Sequence, residues 1–194
     1  MATRVLSSTI TFAALLCLGA VAHAQLKDEN LLVAMPAGFK VGYQGSANGI
    51  LMQEWIPPNE TVEAWSEMVT VQVFLNRKDL DPAQFLATME KQWAGDCKGS
   101  SATPATTGRT NGYASATMLL RCPLLVASGK PETTMLKAIK GNDSFYLVQR
   151  AVRDVPTPAQ LERTKLYLDG VSVCDTRRPA HPCKCEARPR LTFT

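Results

Sequence analysis

The hydrophobic positions along this 194-residue chain fall into two periods, and their alternation lays out the fold. Met68 to Leu75 (MVTVQVFL) sets Val69, Val71 and Val73 on one side against Thr70 and Gln72 on the other, the period of two expected of a half-buried strand. Before it, Leu31 to Met35 is an apolar run that stops at Pro36. Phe39 to Gln44 and Ile50 to Ile56 flank the turn-rich GSANG at 45–49, which predicts a hairpin closed by Pro57-Pro58. After position 80 the period changes to that of a helix. In DPAQFLATMEKQW, Asp81 stands at the N-cap, Pro82 at N1 and Gln84 at N3, and Phe85, Leu86, Met89 and Trp93 share a face up to Gly95. The same grammar returns in TPAQLERTKLYLDG, with Thr157 as cap, Leu161, Leu168 and the stem of Lys165 on one face, and Gly170 as the stop.

Between the two helices the period of two resumes. Thr107 to Arg109 leads into Asn111-Gly112, the strongest short hairpin signal. Tyr113 to Cys122 follows as a long strand with Ala114, Ala116, Met118 and Leu120 on one face. Thr133 to Lys140 and Ser144 to Arg153 flank GND at 141–143, a further hairpin. Few helices and many tightly joined strands predict an α+β fold: an antiparallel sheet of about six or seven strands with two principal amphipathic helices packed on it.

The opening MPAGFKVGYQ segment, the WIPPNETVEAWSEMVTVQVF stretch and the two helices bracketing a β-meander resemble the PsbP-like superfamily, which includes DcrB-type envelope proteins, and are similar to secreted bacterial proteins of this size. The resemblance spans most of residues 28–174 and lies in architecture, without a diagnostic motif. It implies a compact sheet flanked by helices, used as a binding or assembly module without catalysis, and it transfers no functional residue to this chain.

Residues 1–24 have the layout of a signal peptide. Arg4 provides the charged start, Ile10 to Ala20 the apolar stretch, and Ala22-His23-Ala24 the cleavage site. That stretch falls short of the roughly 20 residues of a membrane span, and no later segment reaches it, so no transmembrane segment is expected. Cys17 is no lipoprotein cysteine, since the bulky Leu16 precedes it where a small residue is wanted. Residues 25–174 then form a single α+β domain and residues 175–194 a basic cysteine-containing tail, and the protein is expected to be periplasmic or secreted.

Charge narrows the partners. Without Arg4 the chain carries 20 basic and 17 acidic residues, and the tail alone holds the whole excess of +3 through Arg177, Arg178, Lys184, Arg188 and Arg190 against Asp175 and Glu186. The domain is formally neutral and offers no basic groove for nucleic acid. A protein or envelope component is the partner class that remains.

Export makes disulfides the default for cysteines. Apart from Cys17 there are five: Cys97, Cys122, Cys174, Cys183 and Cys185. A Cys97–Cys122 bond would staple the first helix to the long strand and contribute on the order of 3 kcal/mol through chain entropy. Cys183 and Cys185 stand too close to bond comfortably, so one pairs with Cys174; Cys174–Cys183 is favoured, and leaves Cys185 spare for a covalent dimer. The competing reading takes Cys174, His181, Cys183 and Cys185 as a Cys₃His set suited to zinc or copper(I), against which the ligand spacing tells. No C-x-x-C occurs for thiol redox chemistry.

Catalytic patterns are missing. His23 leaves with the signal, His181 stands in a Pro- and Arg-rich tail, and no nucleophile elbow, zinc-protease, P-loop or dinucleotide motif is present. No catalytic residue and no cofactor are assigned. A glycosidase pair would have to come from Glu60, Glu63 and Glu67, with Glu63 and Glu67 on one face if 61–67 is helical; a solvated turn is the plainer reading. Of the three tryptophans, Trp93 belongs to the core face of the first helix. Trp65, beside the acidic turn, is the one placed to contact a ligand from the surface, in competition with simple packing.

Overall fold

The computed structural model describes residues 27–183, so the expected signal segment, with Cys17, and residues 184–194, with Cys185, lie outside the described residues. The protein is α+β. Strands β2 (Lys40–Ala47), β3 (Ile50–Ile56), β4 (Glu67–Leu75), β7 (Tyr113–Leu125), β8 (Lys130–Lys140) and β9 (Ser144–Val152) form an antiparallel sheet in the order β2-β3-β4-β9-β8-β7. Two short pieces, β5 (Ser101–Ala102) and β6 (Thr106–Thr110), pair with the outer side of β7 and bring the sheet to eight strands. A separate two-stranded ladder joins β1 (Glu29–Leu32) to β10 (Ser172–Asp175). The count exceeds the expected six or seven because β5 is a two-residue segment that local alternation does not reveal; β10, also short, pairs only with β1 outside this sheet.

The helices cover opposite faces. Helix α1 (Pro82–Asp96) lays Leu86 on Ala116, Met118, Leu120, Leu136, Ala138, Phe145 and Leu147. Phe85 meets Phe145 at 4.8 Å and Phe74 at 5.3 Å between ring centroids, so aromatic packing ties the helix to β4 and β9. Helix α2 (Pro158–Asp169) and the β1–β10 ladder cover the other face, where Leu168, Val171, Val173 and Val33 pack on Trp55, Val69, Val71, Val73, Ile139, Tyr146 and Val148. A sheet covered on both sides needs apolar residues on both sides. In β9, Phe145 and Leu147 serve α1 while Tyr146 and Val148 serve α2.

The helix starts follow from their caps. Asp81 accepts from the N–H groups of Ala83 and Gln84 at 3.0 Å each, with Pro82 at the first helical position. Thr157 and Gln160 form a reciprocal capping box, Gln160 N–H donating to Thr157 Oγ1 at 3.3 Å and Thr157 N–H to Gln160 Oε1 at 2.8 Å. The ends differ from expectation. Helix α1 runs through Gly95 to Asp96, with Cys97 as its C-cap. On α2 the buried residues are Thr164 and Leu168, while Lys165 stays in solvent and pairs with Asp169 one turn on. Residues 61–66 form bends rather than a helix.

Candidate functional site

At one end of the sheet the β6–β7 and β8–β9 turns lie beside the β1–β10 ladder, and there the chain folds back on itself. After β10 the backbone turns through residues 176–183, with Arg178 N–H donating to Asp175 O, His181 N–H to Arg178 O, and Asp175 N–H to His181 O at 2.8 Å. The Cys174–Cys183 disulfide closes this loop with Cα atoms 4.9 Å apart. His181 lands on the β6–β7 turn. Its ring stacks on Tyr113 at 4.0 Å between centroids and 28° between planes, and its Nδ1 lies 2.8 Å from the carbonyl oxygen of Asn111. Because that oxygen can only accept, Nδ1 carries the proton in this contact. Asn111 returns two bonds from its Nδ2, to Val173 O and Pro182 O. Gly112 has φ +84°, and a Cβ there would meet His181 Nδ1 at 2.7 Å, so both backbone and space demand glycine.

Two carboxylates, Asp175 buried and Glu29 partly so, complete the latch. Asp175 accepts from the backbone N–H of Arg177 at 2.9 Å and from its Nε and Nη2 at 2.8 Å each, and this guanidinium holds the carboxyl down to about 2. Arg177 also reaches Asp143 at 2.5 Å and Asp28 at 3.7 Å, tying the loop to the β8–β9 turn and to the start of β1. Glu29, opposite Asp175 in the ladder, accepts from the consecutive N–H groups of Asn142, Asp143 and Ser144 and from Tyr146 Oη at 2.9 Å. Three successive backbone donors make an anion nest, and here the chain's own carboxylate fills it. Burial, then the Glu29 charge, push the phenols of Tyr113 and Tyr146 well above their ordinary value.

The other disulfide stands at the opposite end of the sheet. Cys97 and Cys122, with Cα atoms 5.8 Å apart, fix the end of α1 to β7, and both residues are buried. With Cys174 and Cys183 bonded to each other, two of the four sulfur and nitrogen donors of the Cys₃His reading are occupied, His181 is held by Tyr113 and Asn111, and Cys185 lies outside the described residues. Among the described residues no three His, Cys, Asp or Glu side chains gather as a metal site.

Trp65 is not a surface contact. It is 7% exposed, packed with Ile56, Met68 and Ala151, and roofed by the Arg153 guanidinium 4.1 Å above its ring, which shields it from solvent. The acidic turn does not form a carboxylate pair either. Glu60 accepts from the backbone and hydroxyl of Ser66, Glu67 pairs with Arg150, and Glu63 stands in solvent. A niche beside Trp93, Glu90 and Ser101 holds about 80 Å³, well under the roughly 300–1,000 Å³ of small-molecule sites.

One group escaped sequence reasoning altogether. Lys137 in β8 is 5% exposed, and its Nζ donates to Leu168 O at 2.9 Å and Val171 O at 2.8 Å, capping the carbonyl end of α2. Burial lowers its ammonium to about 8. Glu29, Tyr113, Asn111 and Arg177 were equally invisible as a group. The Asn111-Gly112 turn, the 141–143 turn and the Cys174, His181 and Cys183 cluster pointed to this end of the sheet without showing that they meet.

No protein-family model matches the chain, and no curated protein matches it in sequence. Among solved structures it is similar to the Ran-binding protein Mog1p of Saccharomyces cerevisiae, with 12% identity, TM-score 0.43 and coverage of 71% of this chain and 78% of that one. It is also similar to LpqN, a protein involved in cell envelope biogenesis of Mycobacterium tuberculosis, with 11% identity, TM-score 0.44 and coverage of 78% and 87%. A third likeness is to cyanobacterial PsbP from Synechocystis, with 13% identity, TM-score 0.43 and coverage of 81% and 98%.

Proposed function

We propose that the chain is an exported, non-enzymatic binding or assembly module of the bacterial envelope, with residues 1–24 as export signal, 25–174 as one domain and 175–194 as a basic tail. The observation that carries this reading is how fully the latch residues are engaged with one another. Cys174 and Cys183 share a bond, His181 is stacked and hydrogen-bonded, and Glu29 and Asp175 accept several bonds each from their own fold. Catalytic groups must keep a site free for a reacting atom, and these do not. Two disulfides suit an oxidising compartment, which supports export.

The test is intact mass, free-thiol labelling and elemental analysis on protein purified from an oxidising compartment, with a non-reducing gel for a Cys185-linked dimer. The reading expects two disulfides, one labelled thiol or one intermolecular bond, and no stoichiometric metal. Three or four reducible thiols with one bound metal per chain overturn it, and would hand the function to Cys174, His181, Cys183 and Cys185.

A further inference from the structure

The end of the molecule away from the latch carries a projecting hairpin whose exposed side chains are apolar. β8 pairs with β9 only from Thr133 onward, while β8 itself begins at Lys130 and pairs with β7 as far as Leu125. The tip thus overhangs the neighbouring strand by three residues, or about 10 Å. At this tip Leu124 is 58% and Val126 83% exposed, the latter the most exposed large apolar side chain among the described residues. Val155, just past the end of β9, is 76% exposed at the same end of the sheet.

The tip is rigidly presented. Ser128 and Gly129 N–H groups both donate to Leu125 O and close the turn, and Gly99 abuts Pro123. The Cys97–Cys122 bond anchors the base of the hairpin to α1. Around the base stand three exposed cations: Lys98 next to Cys97, Arg121 next to Cys122, and Lys130 opposite Leu125. The acidic residues closest in sequence are Asp96, exposed at the end of α1, and Glu132, buried in β8. A basic collar behind an aliphatic tip matches an anionic lipid surface, where side chains enter the acyl boundary and cations stay with the headgroups.

We infer that the β7–β8 tip docks on anionic phospholipid, with Leu124 and Val126 inserted and Lys98, Arg121 and Lys130 at the headgroups. The inference rests on the envelope placement proposed above. No helix of the described residues is long and apolar enough to cross a membrane, so contact of this kind is peripheral. Each collar cation contributes about a fivefold gain in affinity at low salt, falling as the Debye length shortens. Each of the two aliphatic side chains contributes about tenfold.

The experiment is co-sedimentation of protein purified from an oxidising compartment with vesicles of phosphatidylglycerol and phosphatidylethanolamine, or of phosphatidylcholine alone, at 50 and 500 mM salt. Three proteins are compared: the parent, Leu124→Asp/Val126→Asp, and Lys98→Gln/Arg121→Gln/Lys130→Gln. All substituted positions are exposed, and near-ultraviolet circular dichroism with intact mass verifies fold and disulfides. The parent is expected on anionic vesicles at low salt only, with loss of binding of about a hundredfold in the first variant, and a similar loss in the second, whose salt dependence falls to the weak remainder due to the shared basic tail. Because all three proteins share the same termini, the differences report the tip. Absence of parental binding to anionic vesicles, equal binding to phosphatidylcholine, or unchanged binding of either variant overturns the inference. So does a photo-crosslinker at Val126 that captures a protein while vesicles are ignored; that result would leave the binding-module reading standing.

Discussion

The buried lysine beneath α2 makes stability rise with pH over a range where most proteins lose it. Lys137 has a folded-state pKa of about 8 against 10.5 for an unburied lysine, because burial disfavours the ammonium. The unfolded chain therefore binds more protons than the folded one between these values, and stability increases as pH rises through the window. Applying the linkage relation between pH 7 and 9.5 gives a gain of about 2 kcal/mol. The tyrosines oppose it. Tyr113, Tyr146 and Tyr167 are all raised by burial, so the stability that comes from keeping their phenols neutral is complete below pH 10 and lost above it. At pH 9.5 they subtract about 0.5 kcal/mol together, and just above it they dominate, which places the maximum between about pH 9.5 and 10.

Urea denaturation under non-reducing conditions, with free thiol alkylated first, measures this directly. For a slope near 2 kcal/mol per molar, the midpoint rises by about 0.7 M from pH 7 to 9.5. Lys137→Met removes the titrating group and should leave only the shallow tyrosine-driven decline. It also leaves Val171 O without its donor, so its pH-independent stability is lower by about 1–3 kcal/mol from that loss, less the recovered cost of burying a charge. A parental midpoint that is flat or falls between pH 7 and 9.5, or an equal rise in Lys137→Met, refutes the reasoning.

The latch supplies further tests. Gly112→Ala should cost about 1–2 kcal/mol by chemical denaturation and weaken the protection of the His181 amide from hydrogen exchange, since φ is +84° and the new methyl meets the imidazole. Asp175 has its carboxyl depressed to about 2 by Arg177, so its contribution is present above pH 3.8 and lost as pH falls towards 2. Asp175→Asn should therefore lower stability at pH 6 and flatten the acid limb of the profile between pH 4 and 2. Replacing both members of Cys97–Cys122 by Ser should cost about 3.5 kcal/mol, and replacing both members of Cys174–Cys183 about 2.6, because the loops span 25 and 9 positions. The reverse order in thermal denaturation would mean that the tail loop holds the fold more firmly than chain entropy allows.

What could be read from the sequence was local. Both helix starts were legible because a cap, a proline at the first helical position and an apolar face fall within a few residues of one another, as at Asp81 and Thr157. The Asn111-Gly112 turn and the paired strands around it were legible for the same reason. The carboxylate half of the latch was not, because Glu29 finds its nest 114 positions away at Asp143 and its phenol 117 positions away at Tyr146, whereas the Cys174–Cys183 closure lay within 9 positions and was legible. No periodicity marks such a pair. Trp65 was left between surface contact and packing for the same reason: Glu63, Ser66 and Glu67 surround it in sequence, and the Arg153 that covers it comes from the far end of β9. Lys137 reads as a solvent-facing residue in an alternating strand until α2 brings two carbonyl oxygens to its Nζ.

These long-range contacts give the two ends of the sheet opposite characters. At one end, charge is gathered and neutralised by the fold itself: carboxylates of Glu29, Asp143 and the buried Asp175 meet backbone donors and Arg177, and a disulfide closes the loop that carries Arg177. At the other, a disulfide stiffens the base of a hairpin while Leu124 and Val126 are left in solvent, where burying them would have stabilised the fold. Exposed aliphatic side chains on a stapled, projecting turn serve no packing role in the isolated chain. The same staple that costs the hairpin its freedom to fold those side chains inward lowers the entropy lost when the tip meets a surface. Rigidity at the apolar end and satisfaction at the charged end are what the proposed docking module requires.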